Sequence, residues 1–238
     1  MAKSPRAGKV KTRLCPPLAP HEAMEMSAAF LRDITANLRA SAAAAPIDGW
    51  VAYAPEGTAH LFDGLLAEGT GLLLADGAPP MPAEIQGFGR SLLHAIEALF
   101  AMGYGAACVL NADSPTLPTA RLVEAATALL RPGARAVLGP AEDGGYYLLG
   151  MQSPRPHLFA DIAWSTDTVA DQTRARAADL SLELAELPAW YDVDDRAALH
   201  RLLDDLAVPP GAVAPWPAPA TAACVARLGL AARLTIEA

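Results

Sequence analysis

Ala106-Ala107-Cys108-Val109-Leu110-Asn111-Ala112-Asp113-Ser114-Pro115 is an unbroken apolar run that ends in a polar, proline-closed loop. A run without polar alternation suits a parallel strand buried on both faces by helices. The segments upstream agree. His21 to Arg39 carries Met24, Ala28, Leu31, Ile34 and Leu38 at helical spacing, and Ser91 to Ala101 carries Leu92, Ile96 and Leu99 on one face. Between them, Trp50 to Ala54 reads as a short strand closed by Pro55, and Gly71 to Ala75 is a second apolar run.

Downstream, the spacing predicts a helix over Arg121 to Leu130, stopped by Pro132-Gly133. Strands follow at Ala134 to Gly139 and Tyr146 to Met151, then a helix over Thr168 to Leu180, a strand over Leu182 to Tyr191 and a helix over Ala197 to Leu206. Pro209 to Pro219 is proline-rich and extended, and a short helix closes the chain from Thr221 to Leu234. Strands alternating with helices indicate a mostly parallel α/β sheet flanked by helices. Residues 1–208 read as one domain, with 209–238 packing on it as a proline-rich segment and a helix.

Composition narrows the function. The chain is 53% hydrophobic and 18% charged, a globular balance and not a disordered one. Its net charge of −8 repels a polyphosphate backbone, which excludes a general nucleic-acid binder and leaves room for a small anion at a local basic patch. Cys15, Cys108 and Cys224 are far apart, with no CxxC pair, and read as reduced thiols of a cytoplasmic protein. The basic N-terminus has no apolar core of a secretory signal, and no run is long and apolar enough to span a bilayer, so no membrane partner is expected.

Ligands of parallel α/β sheets lie beyond the carboxyl ends of the strands. Three polar loops fall there: Asn111–Ser114, Glu142–Gly145 and Asp192–Asp195. Asp113 is placed to hold Mg²⁺ or Mn²⁺ with substrate phosphates completing the shell, or else to start the turn before Pro115. Alternation puts Asp192 and Asp194 on one face, a pairing that favours a cation, while Asp194 or Asp195 is also placed to cap the next helix. In Glu142-Asp143-Gly144-Gly145-Tyr146-Tyr147, Asp143 is a candidate general base, and the same residues fit a hairpin turn. In Trp164-Ser165-Thr166-Asp167 the hydroxyls are expected to cap the following helix, and Trp164 either stacks on a ligand or packs in the core.

The first thirteen residues hold Lys3, Arg6, Lys9, Lys11 and Arg13 and no acid. Such a loop either grips an anion or is a solvated tail. Gly8 lets the backbone approach a ligand, Lys9 and Lys11 offer point charges to phosphate, and Arg13 offers a bidentate fork. The spacing is not that of a Walker A loop.

Taken in order, AKSPRAGKVKTRL, NADSPTLP, GPAEDGGYYLLG, WSTDTV and LPAWYDVDD resemble one family, from Ala2 to Asp195. It comprises the GT-A-like transferases described as arsenosugar biosynthesis glycosyltransferase or radical-SAM/selenodomain-associated transferase. KTRLCPPL is also similar to the phospholactate guanylyltransferases, which share the fold. The resemblance implies a nucleotide-diphospho-sugar transferase fold, with Lys3, Lys11 and Arg13 on nucleotide phosphates. It implies metal ligation by Asp113 and Asp194, and acceptor-side roles for Asp143, Gly144, Gly145 and Trp164, with Tyr146 and Ser165 beside them. The family opens with an apolar strand before the AK, so the first strand here reads as truncated and an apolar extension before Met1 is expected. Gln86-Gly87-Phe88-Gly89-Arg90-Ser91 stands where the family carries a GDLG-type loop followed by Glu-Arg.

The leading expectation is therefore a metal-dependent glycosyltransferase that passes a sugar from a nucleotide-diphospho-sugar to a small acceptor. The alternatives are a nucleotidyltransferase that releases pyrophosphate and a non-catalytic nucleotide-binding module.

Overall fold

A computed structural model describes residues 1–209 and 214–236. In chain order the elements are β1 (Ala2–Lys3), α1 (Pro20–Ser41), β2 (Trp50–Ala54), β3 (Gly71–Leu74), α2 (Phe88–Ala101), β4 (Ala107–Leu110), α3 (Thr119–Leu129), β5 (Arg135–Pro140) and β6 (Tyr146–Met151). They continue with α4 (Val169–Asp179), β7 (Glu183–Glu186), α5 (Arg196–Leu206), α6 (Pro219–Arg227) and α7 (Leu230–Ile236). A 3₁₀ turn over Thr12–Leu14 links the basic loop to α1.

Local chemistry sets the boundaries. Pro20 opens α1, where its missing N–H removes no helical bond, and Glu22 accepts from the Ala19 N–H at 2.7 Å. Ala23, Met26, Phe30 and Ile34 then bury one stripe of α1. Truncating the fully buried Phe30 to Ala would cost about 3–5 kcal/mol. Asp33, on the same helix, takes the Ala220 and Thr221 N–H groups at 3.0 and 2.6 Å. A side chain of α1 thus satisfies the orphan donors of α6, which packs on it.

The strands form two sheets, ordered β1-β2-β3 and β4-β6-β5-β7. The first is parallel throughout; in the second, β5 and β7 are parallel, but β6 runs antiparallel to both β4 and β5. The expectation that β4 sits among parallel neighbours is thus corrected. Its apolar run reports burial on both faces, which an antiparallel partner supplies equally well.

Two other boundaries differ from the sequence reading. The strand expected over Leu182 to Tyr191 ends at Glu186, just ahead of Pro188, and pairing resumes only as a single bridge between Ala141 and Trp190. The single C-terminal helix is two, broken where Gly229 takes φ +58°. The stretch Pro209 to Pro219 lies partly outside the described residues.

α2 packs against the β4 side of the core with Ala52, Val109, Leu138 and Leu149, and Leu122, Leu129, Val137 and Tyr147 bury the opposite face against α3. A third cluster joins α1 to α5, α6 and α7. No helix among the described residues is long and apolar enough to cross a membrane.

Candidate active site

The loop after β4 and the segment after β7 are stitched together. Asn111 donates to the Ser114 hydroxyl at 3.1 Å, and Ser114 donates to the Tyr191 carbonyl at 2.8 Å. The Val193 N–H donates to the Asp113 carbonyl at 2.8 Å. Below them, the Tyr191 hydroxyl donates to Asp205 at 2.6 Å, Thr116 lies 3.1 Å from both, and the Arg201 guanidinium covers the Tyr191 ring at 4.0 Å. Buried hydrogen-bond networks of this kind fix the backbone that carries them. Here they hold Asp113 and Asp194 on one rim.

Lys11 lies between these two carboxylates. Its ammonium is 2.5 Å from Asp113 Oδ1 and 2.8 Å from Asp194 Oδ1, and it also donates to the Val193 carbonyl at 2.9 Å. Arg13 pairs with the other oxygen of Asp194. Burial pushes the Asp194 carboxyl up, but the Lys11 and Arg13 charges outweigh it and hold the carboxyl below the usual aspartate range. The basic loop does have acidic partners; they come from positions 113 and 194.

A cleft of about 700 Å³ opens in front of this group, lined by Lys3, Arg6, Lys9, Lys11, Arg13, Asp113 and Asp194. Lys3, Arg6 and Lys9 are exposed and make no ion pair among the described residues. Gly8 sits at the tip of the loop with φ +70° and open space around its Cα. The loop and both candidate metal-binding carboxylates therefore share one cavity.

The second set lies beside that cleft and outside its lining. Glu142 to Gly145 form the turn between β5 and β6, closed by the Gly145 carbonyl accepting from Ala141 at 2.9 Å, so the hairpin reading describes their backbone. Asp143 Oδ1 accepts from the Gly145 N–H at 2.9 Å, which aims the carboxylate. The Trp164 ring packs edge-on to Phe88 and Tyr146, at 5.8 and 6.5 Å between ring centres, and against Gly89. Its indole N–H and the Tyr146 hydroxyl are buried without a partner among the described residues. Ser165 has φ +65°, and Thr166 donates to the Ala163 carbonyl at 2.7 Å. Neither hydroxyl caps α4, whose first turn follows Thr168, so that expectation is corrected. Asp195 does cap α5, accepting from the Ala198 N–H at 2.8 Å.

Asp192 joins the two sets. Its carboxyl is pushed up to about 6 by burial and by the charges of Asp194, Asp143 and Asp113. The DVDD alternation paired it with Asp194 on one face, but the resemblance implied a role only for Asp194. Tyr191, Arg201 and Asp205 carried no sequence signal.

Among the described residues no three His, Cys, Asp or Glu side chains form a ready-made metal site. Asp113 and Asp194 supply two carboxylates facing one cation position. Two carboxylates completed by substrate phosphates are a donor set that Mg²⁺ or Mn²⁺ accepts, so these residues fit a divalent ion if the Lys11 ammonium moves aside.

The fold is that of the nucleotide-diphospho-sugar transferases. A crystal structure from Desulfovibrio desulfuricans G20, described as a "putative nucleotide-diphospho-sugar transferase", superposes with a TM-score of 0.79 at 25% identity, over 98% of this chain and 94% of that one. Residues 37–166, more than half of the chain, match the family DUF2064, described as an uncharacterized protein conserved in bacteria, and the chain belongs to that family. No curated protein matches it.

Proposed function

We propose that this protein is a glycosyltransferase that uses a nucleotide-diphospho-sugar and a small acceptor. The observation that carries the reading is the cleft itself, in which a loop with three cations that make no ion pair among the described residues faces two carboxylates at the carboxyl ends of strands. The similarity to a "putative nucleotide-diphospho-sugar transferase" supports the same class.

In this reading Lys3, Lys9 and Arg13 hold the diphosphate, the last through its fork. Asp113 and Asp194 hold Mg²⁺ or Mn²⁺, which when bound neutralises charge on the leaving diphosphate. Lys11 leaves the carboxylates for the phosphates. Stabilising the anion that forms as the sugar departs is how such a site lowers a barrier. Asp143, held by the Gly145 N–H, takes the proton of the acceptor hydroxyl. Asp192 feels the charges of Asp113, Asp194 and Asp143.

The test is a melting screen of nucleoside diphosphates and nucleotide-sugars with and without Mn²⁺, followed by product analysis of the hits. A ligand bound only to the folded state raises Tm. Release of nucleoside diphosphate supports sugar transfer. Release of pyrophosphate from an NTP moves the protein to nucleotidyl transfer, and no Tm response to any of these ligands removes the reading.

A further inference from the structure

Gln86-Gly87-Phe88-Gly89-Arg90-Ser91 carries the chain into α2, and Phe88, the first residue of that helix, is 51% exposed. A single apolar ring left open on a convex surface is ordinary. Phe88 instead lines the cleft of the basic loop, together with Ser91, and it is the one aromatic side chain lining that cleft among the described residues.

The backbone around Phe88 places its ring. Gly87 precedes the helix at φ +54° and ψ −131°, a conformation that glycine alone adopts without strain. Gly89 lets Trp164 come close, since a Cβ there would lie 2.8 Å from the indole ring. Trp164 in turn stands edge-on to Phe88, with 5.8 Å between ring centres and 88° between planes, a contact that fixes the orientation of the half-open ring.

Arg90 lies between the two cleft residues in sequence and is committed elsewhere. Its Nε donates to the Gly77 carbonyl at 3.0 Å and its Nη2 to the Pro79 carbonyl at 2.8 Å, so its guanidinium pins the loop after β3. Ser91 follows Phe88 by three positions and therefore shares its face of α2. The half-buried Ser91 hydroxyl is hydrogen-bonded to no described residue.

An apolar ring with a free hydroxyl one turn away matches the surface of a pyranose, which has C–H groups across one face and hydroxyls around its rim. In a nucleotide-sugar the base and the sugar flank the diphosphate. Phe88 touches Trp164, on the side where the proposed function seats the acceptor, so it stands at the sugar end. We propose that the first turn of α2 is the donor-sugar subsite, with Phe88 packed on the C–H face of the sugar and Ser91 hydrogen-bonded to one of its hydroxyls. This assignment rests on the reading of the cleft as a nucleotide-diphospho-sugar site. It makes the two residues selective: an axial hydroxyl on the stacked face would be pressed against the ring without a partner.

The full chain and its Phe88→Ala, Phe88→Tyr and Ser91→Ala variants are titrated with UDP-glucose, GDP-mannose and the corresponding nucleoside diphosphates in the presence of Mn²⁺. Phe88→Ala is expected to weaken the better-bound nucleotide-sugar at least about fivefold, while its nucleoside diphosphate changes by less than about twofold. Phe88→Tyr keeps the ring and should keep the parent's ratio. Ser91→Ala should weaken the same nucleotide-sugar by about two- to tenfold. Retained nucleoside diphosphate binding also shows that each variant is folded. Equal losses for nucleotide-sugar and nucleoside diphosphate would put the ring under the nucleobase and overturn the proposal, as would no loss for either. Binding of neither ligand to the parent chain would overturn the reading of the cleft, and this assignment with it.

Discussion

Gly144 faces the carbonyl of Asp167 so closely that a Cβ on Gly144 would lie 1.9 Å from that oxygen, and its own carbonyl accepts from the Ala170 N–H at 2.9 Å. The β5–β6 turn is thereby clamped onto the start of α4. Gly144→Ala meets fixed backbone at φ +88°, so a loss of at least about 2 kcal/mol is expected. In a chain of this length that is a Tm fall of roughly 4–8 °C. Gly145→Ala meets only the Asp143 side chain at 3.1 Å and should cost much less. Differential scanning calorimetry of the two variants checks the contrast.

Lys11 lies between Asp113 and Asp194, where the proposed reading seats a divalent cation. Removing its charge should improve metal binding and impair nucleotide binding. Lys11→Met is expected to bind Mn²⁺ alone about tenfold more tightly than the parent, close to the worth of one charge-assisted contact. It should bind nucleoside diphosphate more weakly. Titration calorimetry reads both, and weaker binding of Mn²⁺ would show that Lys11 orders the carboxylates for the ion.

Asp113→Asn should abolish the Mn²⁺-dependent part of nucleotide binding, a loss of at least about tenfold. The fold should survive, because Lys11 retains Asp194 and the backbone stitch from Val193 uses the Asp113 carbonyl, which the substitution keeps. Unchanged metal dependence with an unchanged Tm would leave Asp113 as a turn residue only.

Asp192 gives the site a pH signature. Its carboxyl titrates near 6 in the folded chain against an ordinary value of 3.8. A carboxyl that holds its proton more tightly when folded favours the folded state at low pH. That contribution is full below the ordinary value and is lost as pH rises through about 6. Asp192→Asn should therefore melt higher than the parent at about pH 7.5, with the gap closing toward about pH 5. Melting curves across that range decide it, and a gap independent of pH would mean the gain comes from elsewhere.

Much of this was legible in the sequence because it is periodic or local. The stripe of α1, the runs of β2, β5 and β6 and the Asp195 cap are all written within a few neighbouring residues. Pro188 and Gly229 also carried visible signals, one just past the end of a strand and the other between two helices, in stretches that apolar spacing alone reads as single longer elements. The sense of the partner of β4 was not legible, since burial on both faces does not encode direction. Nor were the acidic partners of Lys11, the role of Asp192 or the Tyr191–Asp205 bond beneath them, because these arise from distant segments brought together by packing.

Lys11 and Asp194 are separated by 183 positions, and their contact sets the order in which this site comes into being. At roughly 5–20 residues per second, a ribosome that has made Lys11 needs about 10–40 s more to reach Asp194. During that interval the basic loop has been synthesised without one of its two carboxylates. The cleft is thus a late product of translation, and the nascent chain passes most of its synthesis as a cationic arm ahead of an unfinished sheet.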